Sequence, residues 1–187
     1  MIDSKRLLVG RGFRALVILK KASLGDIRGL SERLLTLLED KESQIYQDNV
    51  AKFGITEEYV RKSFGKETLE NAFAKGKTTF YLALERNKII GFAQVEQQNP
   101  KTPEIDRIIV FPEHSRKGIG TQLLHYLIID QEHQAVSNIT VKAGKEESVA
   151  RRFYEKNGFK PIGEEMIDAP WGRRLTLITY KLSLEHE

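Results

Sequence analysis

The stretch from Ile105 to Leu124, IDRIIVFPEHSRKGIGTQLL, constrains this chain more than any other. Ile108, Ile109, Val110 and Phe111 form a short apolar run rich in β-branched residues, the pattern of a strand buried on both faces. Pro112 has no N–H for a sheet ladder and biases Phe111 toward extended backbone, so the strand ends there. From Thr121 the apolar residues fall at 123, 124, 127 and 128, one face of a helix. Between strand and helix lie Arg116, Lys117, Gly118, Ile119, Gly120 and Thr121. Two glycines let a ligand approach the backbone, and the first N–H groups of the helix have no partner inside it. Those donors, the helix dipole and two cations suit a diphosphate. The same residues also suit an ordinary β-to-α turn with glycine for packing, so the loop alone leaves both readings open.

The rest of the chain surrounds this unit with regular elements. Residues 14–20 (RALVILK) predict a first strand. Ser23 with Asp26 at the third helical position makes a capping box, and Leu24, Ile27, Leu30, Leu34, Leu35 and Leu38 give the helix one apolar face. Residues 41–56 show no clear periodicity. Two shorter helices follow, near 57–64 and 66–75, with Thr56 as N-cap and Gly76 as stop. Residues 80–84 and 89–95 read as a hairpin across the turn 85–88. Residues 99–103, with two prolines, read as a loop. Then come a strand (104–111), a helix (118–133), a strand (138–143), a helix (146–156) and a final hairpin (159–167 with 175–182). No repeat or linker interrupts the order, so residues 1–187 read as a single domain, with residues 1–12 a peripheral N-terminal segment.

Composition narrows the chemistry. The 187 residues contain no cysteine, which removes disulfides, thiolate metal sites and thiol catalysis. The four histidines form no metal pattern, so no metal is expected. A net charge of +4 is spread along the chain rather than gathered in one tract, which argues against a nucleic-acid footprint. No run approaches the roughly 20 apolar residues of a membrane span. A cytoplasmic protein, monomer or homodimer, acting without nucleic acid or membrane is the expectation.

A second stretch, Ala150 to Phe159 (ARRFYEKNGF), decides how the loop is read. Together the two stretches resemble the GCN5-related N-acetyltransferase (GNAT) family. In that family a loop written R/Q-x-x-G-x-G/A holds the pyrophosphate of acetyl-CoA, and a helix ending in Tyr-x-x-x-Gly-Phe follows the next strand. Gly118 and Gly120 match the first pattern; Tyr154, Gly158 and Phe159 match the second. Ser115 departs at the R/Q place, and Glu147 stands where a cofactor-contacting Asn is common. The resemblance implies an α/β (α+β) fold, a mixed and mostly antiparallel sheet flanked by helices on both faces. It implies acetyl-CoA as cosubstrate, held by the backbone of Ile108, Ile109 and Val110 and by the loop from Arg116 to Thr121. The implied activity is acetyl transfer to a primary amine by direct attack in a ternary complex. A non-catalytic acetyl-CoA sensor with the same fold is the alternative.

Acetyl transfer needs a polarised thioester, a base for the incoming ammonium and an acid for the departing thiolate. The family likeness assigns the acid to Tyr154. Some relatives carry a base twelve residues before the Tyr, but here that place is Lys142. Glu104 and Asp106 are the other candidates, two apart and so on one face of a regular strand, and proton loss through water is the third possibility. The acceptor, a small amine or a peptide, is expected between residues 46–75 and the last hairpin, with Tyr46, Phe53, Tyr59, Phe64 and Trp171 as walls. Residues 59–69 faintly resemble spermidine/spermine acetyltransferases of the same family. A polyamine needs a groove of carboxylates, which Glu57, Glu58, Glu104, Asp106 and Glu164 are placed to supply.

Overall fold

Alternating apolar residues from Thr78 to Val95 build the middle of the fold. They form strands β2 (Thr78–Glu85) and β3 (Lys88–Asn99), joined by a tight turn in which Arg86 and Asn87 both have positive φ, 49° and 61°. That turn matches the twist of the flanking strands. In a computed structural model, which describes residues 16–99 and 101–184, these two lie within one seven-stranded sheet. The other strands are β1 (Val17–Lys21), β4 (Thr102–Val110), β5 (Asn138–Gly144), β6 (Lys160–Asp168) and β7 (Arg174–Ser183). The order is β1-β2-β3-β4-β5-β7-β6, and every neighbouring pair is antiparallel except β4 with β5. The expected N-terminal segment, and the first residues of the expected first strand, lie outside the described residues.

Side-chain alternation divides the core in two. Phe80, Leu82 and Phe92 point to one face and pack against Ile27, Leu30, Leu34 and Leu38 of helix α1 (Leu24–Glu39). Tyr81, Ala83 and Ala93 point the other way, onto Leu123, Leu124 and Leu127 of helix α5 (Ile119–Glu132). The capping box forms as expected, with the Asp26 carboxylate accepting the Ser23 N–H at 2.7 Å. Leu24, at the first helical position, is 43% exposed and drops out of the apolar face.

Within residues 41–56, residues 44–51 are helical. A single turn, α2 (Gln44–Tyr46), runs into a π turn over Gln47–Ala51, then come α3 (Glu57–Phe64) and α4 (Lys66–Ala74). Ile45 and Val50 are both buried although five residues apart. The wider π turn, with Lys52 N–H bonded to Gln47 O at 2.9 Å, brings them to one side. A search for a 3.6-residue period misses such a spacing.

Two further corrections concern β4. The expected loop at 99–103 is shorter than its sequence suggested, since Asn99 already pairs with Thr102. Pro103, lacking an N–H, sits inside the strand where the register with β3 is irregular. Ile108, Ile109 and Val110 are only half-buried, not covered on both faces. The cause is a divergence of neighbours. β4 pairs with β5 only through Glu104↔Thr140 and Ile105↔Val141, after which the two strands part.

Candidate active site

The phosphate-type loop has the geometry its residues suggested. Gly118 lies in the left-handed region at φ 79° and serves as N-cap of α5 without any side-chain cap bond. The helix's first bond runs from Gln122 N–H to Gly118 O at 3.0 Å. The N–H groups from Arg116 to Thr121, six in succession, meet no acceptor among the described residues. Nothing lies within 4 Å of the place a Gly118 Cβ would take, so the loop opens onto free space there. Gly120 instead tucks the helix start inward, where a Cβ would touch the Phe153 ring at 3.6 Å and Val110 Cγ2 at 3.7 Å. Such a run of open donors at a helix start, beside exposed Arg116 and Lys117, is built for an anion.

The open edge of β4 adjoins this loop. Phe111 N–H bonds to Ile90 O on the β3 side. Alternation then turns the Ile108 and Val110 amides to the opposite edge, toward β5. Because the strands have parted by this point, that edge is an unclaimed strip of backbone donors and acceptors. It is the length and polarity that an extended amide-bearing arm would pair with.

Tyr154 comes from helix α6 (Ser148–Lys156), which packs on β5. It is 6% exposed, wedged edge-on between Phe153 and Phe159 at centroid distances of 5.3 Å and 5.5 Å. Burial, then the Glu147 and Asp106 carboxylates, push its phenol well above the ordinary value, so the hydroxyl keeps its proton at neutral pH. Glu147, which departs from the family pattern, braces the chain locally. Its carboxylate accepts the Gly144 N–H at 2.7 Å where β5 ends.

Glu104 and Asp106 do come together, though not by regular alternation. A bulge in β4 leaves Asp106 without a partner, between Arg107 opposite Gln94 and Ile105 opposite Val95. Asp106 pairs with the Arg107 guanidinium at 2.5 Å, and it is near enough to raise the pKa of both Tyr154 and Glu104. Burial is the main cause of Glu104's upward shift, with Asp106, Glu96 and Glu165 adding to it and Lys142 opposing. Lys142 is held charged by Glu165, 2.7 Å away, and so is no base at neutral pH.

The acceptor side is partly as expected. Tyr59 on α3 and Trp171 in the β6–β7 loop do meet, rings tilted at 5.4 Å. Arg173 in the same loop rests on Gly54. Phe64 is 1% exposed and Tyr46 packs against the α1 core, so neither is a wall. Phe53 stacks under the Lys52 ammonium at 5.1 Å. Of the expected carboxylates, Glu57 is taken by Arg61 and Glu164 by Lys145, each at 2.8 Å. Glu164 pairs across to buried Ile178 and so shares its face, whereas its neighbour Glu165 lies on the side of Lys142 and Glu104. The carboxylate this strand brings beside Glu104 is therefore Glu165, not the expected Glu164. Glu96 and Gln94 carry no mark in the sequence, because their nearness to Glu104 depends on strand register.

The sheet thus parts beside an amide-lined helix start, with a buried tyrosine on the adjoining helix. Comparison with known proteins gives the class. The model of the acetyltransferase (GNAT) domain matches residues 40–170, and the chain belongs to this family of acetyltransferases. It is 25% identical over 146 residues to the spermidine N(1)-acetyltransferase of Thermoplasma acidophilum, covering 76% of this chain and 87% of that protein. It is 33% identical over 98 residues to the mycothiol acetyltransferase of Nocardiopsis dassonvillei, but the matched part is 26% of that protein's length and 52% of this chain. Among solved structures, the PaiA N-acetyltransferase of Thermoplasma acidophilum in complex with coenzyme A superposes with a TM-score of 0.66 at 24% identity, over 89% of this chain and 99% of that one. A GNAT acetyltransferase from Elizabethkingia anophelis with acetyl-CoA bound gives a TM-score of 0.54 at 23% identity, over 64% of this chain and 84% of that one. Among the described residues no helix is long and apolar enough to cross a membrane.

Proposed function

We propose that residues 1–187 work as one acetyltransferase domain, moving the acetyl group of acetyl-CoA to a primary amine of a small cationic acceptor. The observation that carries this reading is the continuity of the six open N–H groups, the open edge of β4 and the Tyr154 hydroxyl. Loop amides from Arg116 to Thr121 hold the diphosphate, with Arg116 and Lys117 screening its charge. Ile108 and Val110 offer backbone N–H groups to the pantetheine arm and to the thioester oxygen, where negative charge develops during attack.

Asp106, which with Glu147 lies near enough to raise the Tyr154 phenol, takes the proton of the incoming ammonium. The free amine attacks the acyl carbon in the ternary complex; a carbon–nitrogen bond forms and the carbon–sulphur bond breaks. Tyr154 gives its proton to the departing thiolate. The name of the Thermoplasma relative makes a polyamine one acceptor to test.

The test is release of free coenzyme A thiol from acetyl-CoA across a panel of monoamines, diamines, polyamines and peptide N-termini. Turnover with at least one small amine is expected. Binding of acetyl-CoA with no thiol released by any member overturns the enzyme and leaves a sensor.

A further inference from the structure

We propose that Gln94, Glu96 and Glu104 form an anchor for a second ammonium on the acceptor, so that the enzyme selects diammonium chains over monoamines. This rests on the acetyl-transfer reading for its reaction centre, but on its own observations for the anchor. Glu96 and Glu104 face each other directly across β3 and β4. Like charges so placed weaken a sheet, and among the described residues neither has a cation within 4 Å. Their neighbours do: Asp106 has Arg107, and Glu165 has Lys142. The fold therefore leaves this opposed pair without a direct ion pair, although Lys142 lies near enough to Glu104 to oppose the rise of its pKa.

Gln94, two residues along β3 on the same face, is 6% exposed. Its Nε2 donates to Glu96 Oε1 at 3.4 Å, which fixes the orientation of the amide. Its Oε1 is buried without any donor. A buried amide oxygen left so is costly and asks for a partner. Two carboxylates and one amide oxygen give three acceptor groups, and a primary ammonium brings three donors. Among the described residues no three acidic or histidine side chains converge closely enough to hold a metal ion, so an organic cation fits better.

Position sets the length of the acceptor. Glu104 and Asp106 flank the bulge in β4, and Asp106 is near enough to raise the pKa of Glu104, so a short diammonium chain spans from one to the other. One end of such a chain meets Asp106 and Tyr154 while the other occupies the anchor.

The experiment compares 1,4-diaminobutane with n-butylamine. In the wild-type protein kcat/KM for the diamine is expected to exceed that for the monoamine by at least about tenfold, the effect of one charge-assisted contact. Glu96→Gln and Gln94→Leu should raise KM for the diamine by about 10- to 100-fold and leave the monoamine unchanged. Equal use of both amines by wild type, or an unaltered diamine KM in Glu96→Gln, overturns the anchor. Calorimetry of the same amines with the protein and coenzyme A reads the anchor without turnover. Diamine binding that is lost in Glu96→Gln supports it even if no thiol is released, in which case the transferase reading alone falls. Diamine binding that is absent, matched by butylamine, or displaced by millimolar magnesium sinks the proposal.

Discussion

Tyr154 is placed by packing alone: its ring is fixed between Phe153 and Phe159, and its hydroxyl bonds to nothing among the described residues. The ring is buried, but the hydroxyl is not among the buried polar atoms left without a partner, so that end of the side chain stays open to a ligand. Tyr154→Phe is therefore expected to unfold at the same temperature as wild type or slightly above it, while acetyl transfer falls by about 10²–10⁴-fold, the usual worth of a general acid. Matched thermal melts and single-turnover rates check this, and an unchanged rate assigns the ring to structure only. Glu104 gives a second prediction with a definite sign. Burial, reinforced by Asp106, Glu96 and Glu165, raises its carboxyl, so the folded protein holds this proton more tightly than the unfolded chain does. Stability then falls as pH rises from the ordinary carboxylate value through the raised one. Glu104→Gln should gain up to about 1 kcal/mol at neutral pH, a gain that disappears below about pH 4, where the wild-type carboxylate is protonated in both states. Urea titrations at the two pH values measure it. A loss of stability at neutral pH in the variant would mean that the charge is compensated.

Strand β4 joins these residues to the rest of the site. Gly91 on β3 lies beneath its end, and a Cβ there would stand 2.9 Å from Ile109 O and 3.2 Å from Val110 Cα. Both are backbone atoms, so β4 itself must move, at the place where its outer edge presents the Ile108 and Val110 amides. Gly91→Ala is expected to cost about 1–3 kcal/mol of stability and to weaken acetyl-CoA binding, by denaturant titration and calorimetry respectively. Retained affinity would show that the outer edge of β4 is not used. Features of this element that depend on near neighbours were legible in the sequence: the Pro112 stop, the glycine loop, the helix start at Ile119. So were the capping box at Ser23 and the β2–β3 turn. What was hidden depends on register between distant segments. The Asp106 bulge, the pairing of Glu96 with Glu104 and the meeting of Tyr59 with Trp171 leave no local mark. The π turn was hidden for another reason, since its five-residue spacing of Ile45 and Val50 matches neither a helix nor a strand period.

Across the whole molecule, the sheet is two blocks with a narrow parallel join. One holds β1 to β4, the other β5, β7 and β6; the strands β4 and β5 pair only at Glu104↔Thr140 and Ile105↔Val141, with Lys101 O accepting from the Ser137 and Asn138 N–H groups just before. Such a seam lets one block open without the other. In amide hydrogen exchange of the free protein, β5 to β7 are expected to lose protection together and sooner than β2 and β3, whose ladder spans eight registered pairs. Acetyl-CoA should slow exchange in the first group far more than in the second; equal slowing in both would show a single cooperative unit. A cosubstrate lying along the open edge of β4 is then more than cargo. On the proposed reading it takes the place of a missing strand, and each turnover is expected to close the fold on binding and loosen it again on release of coenzyme A.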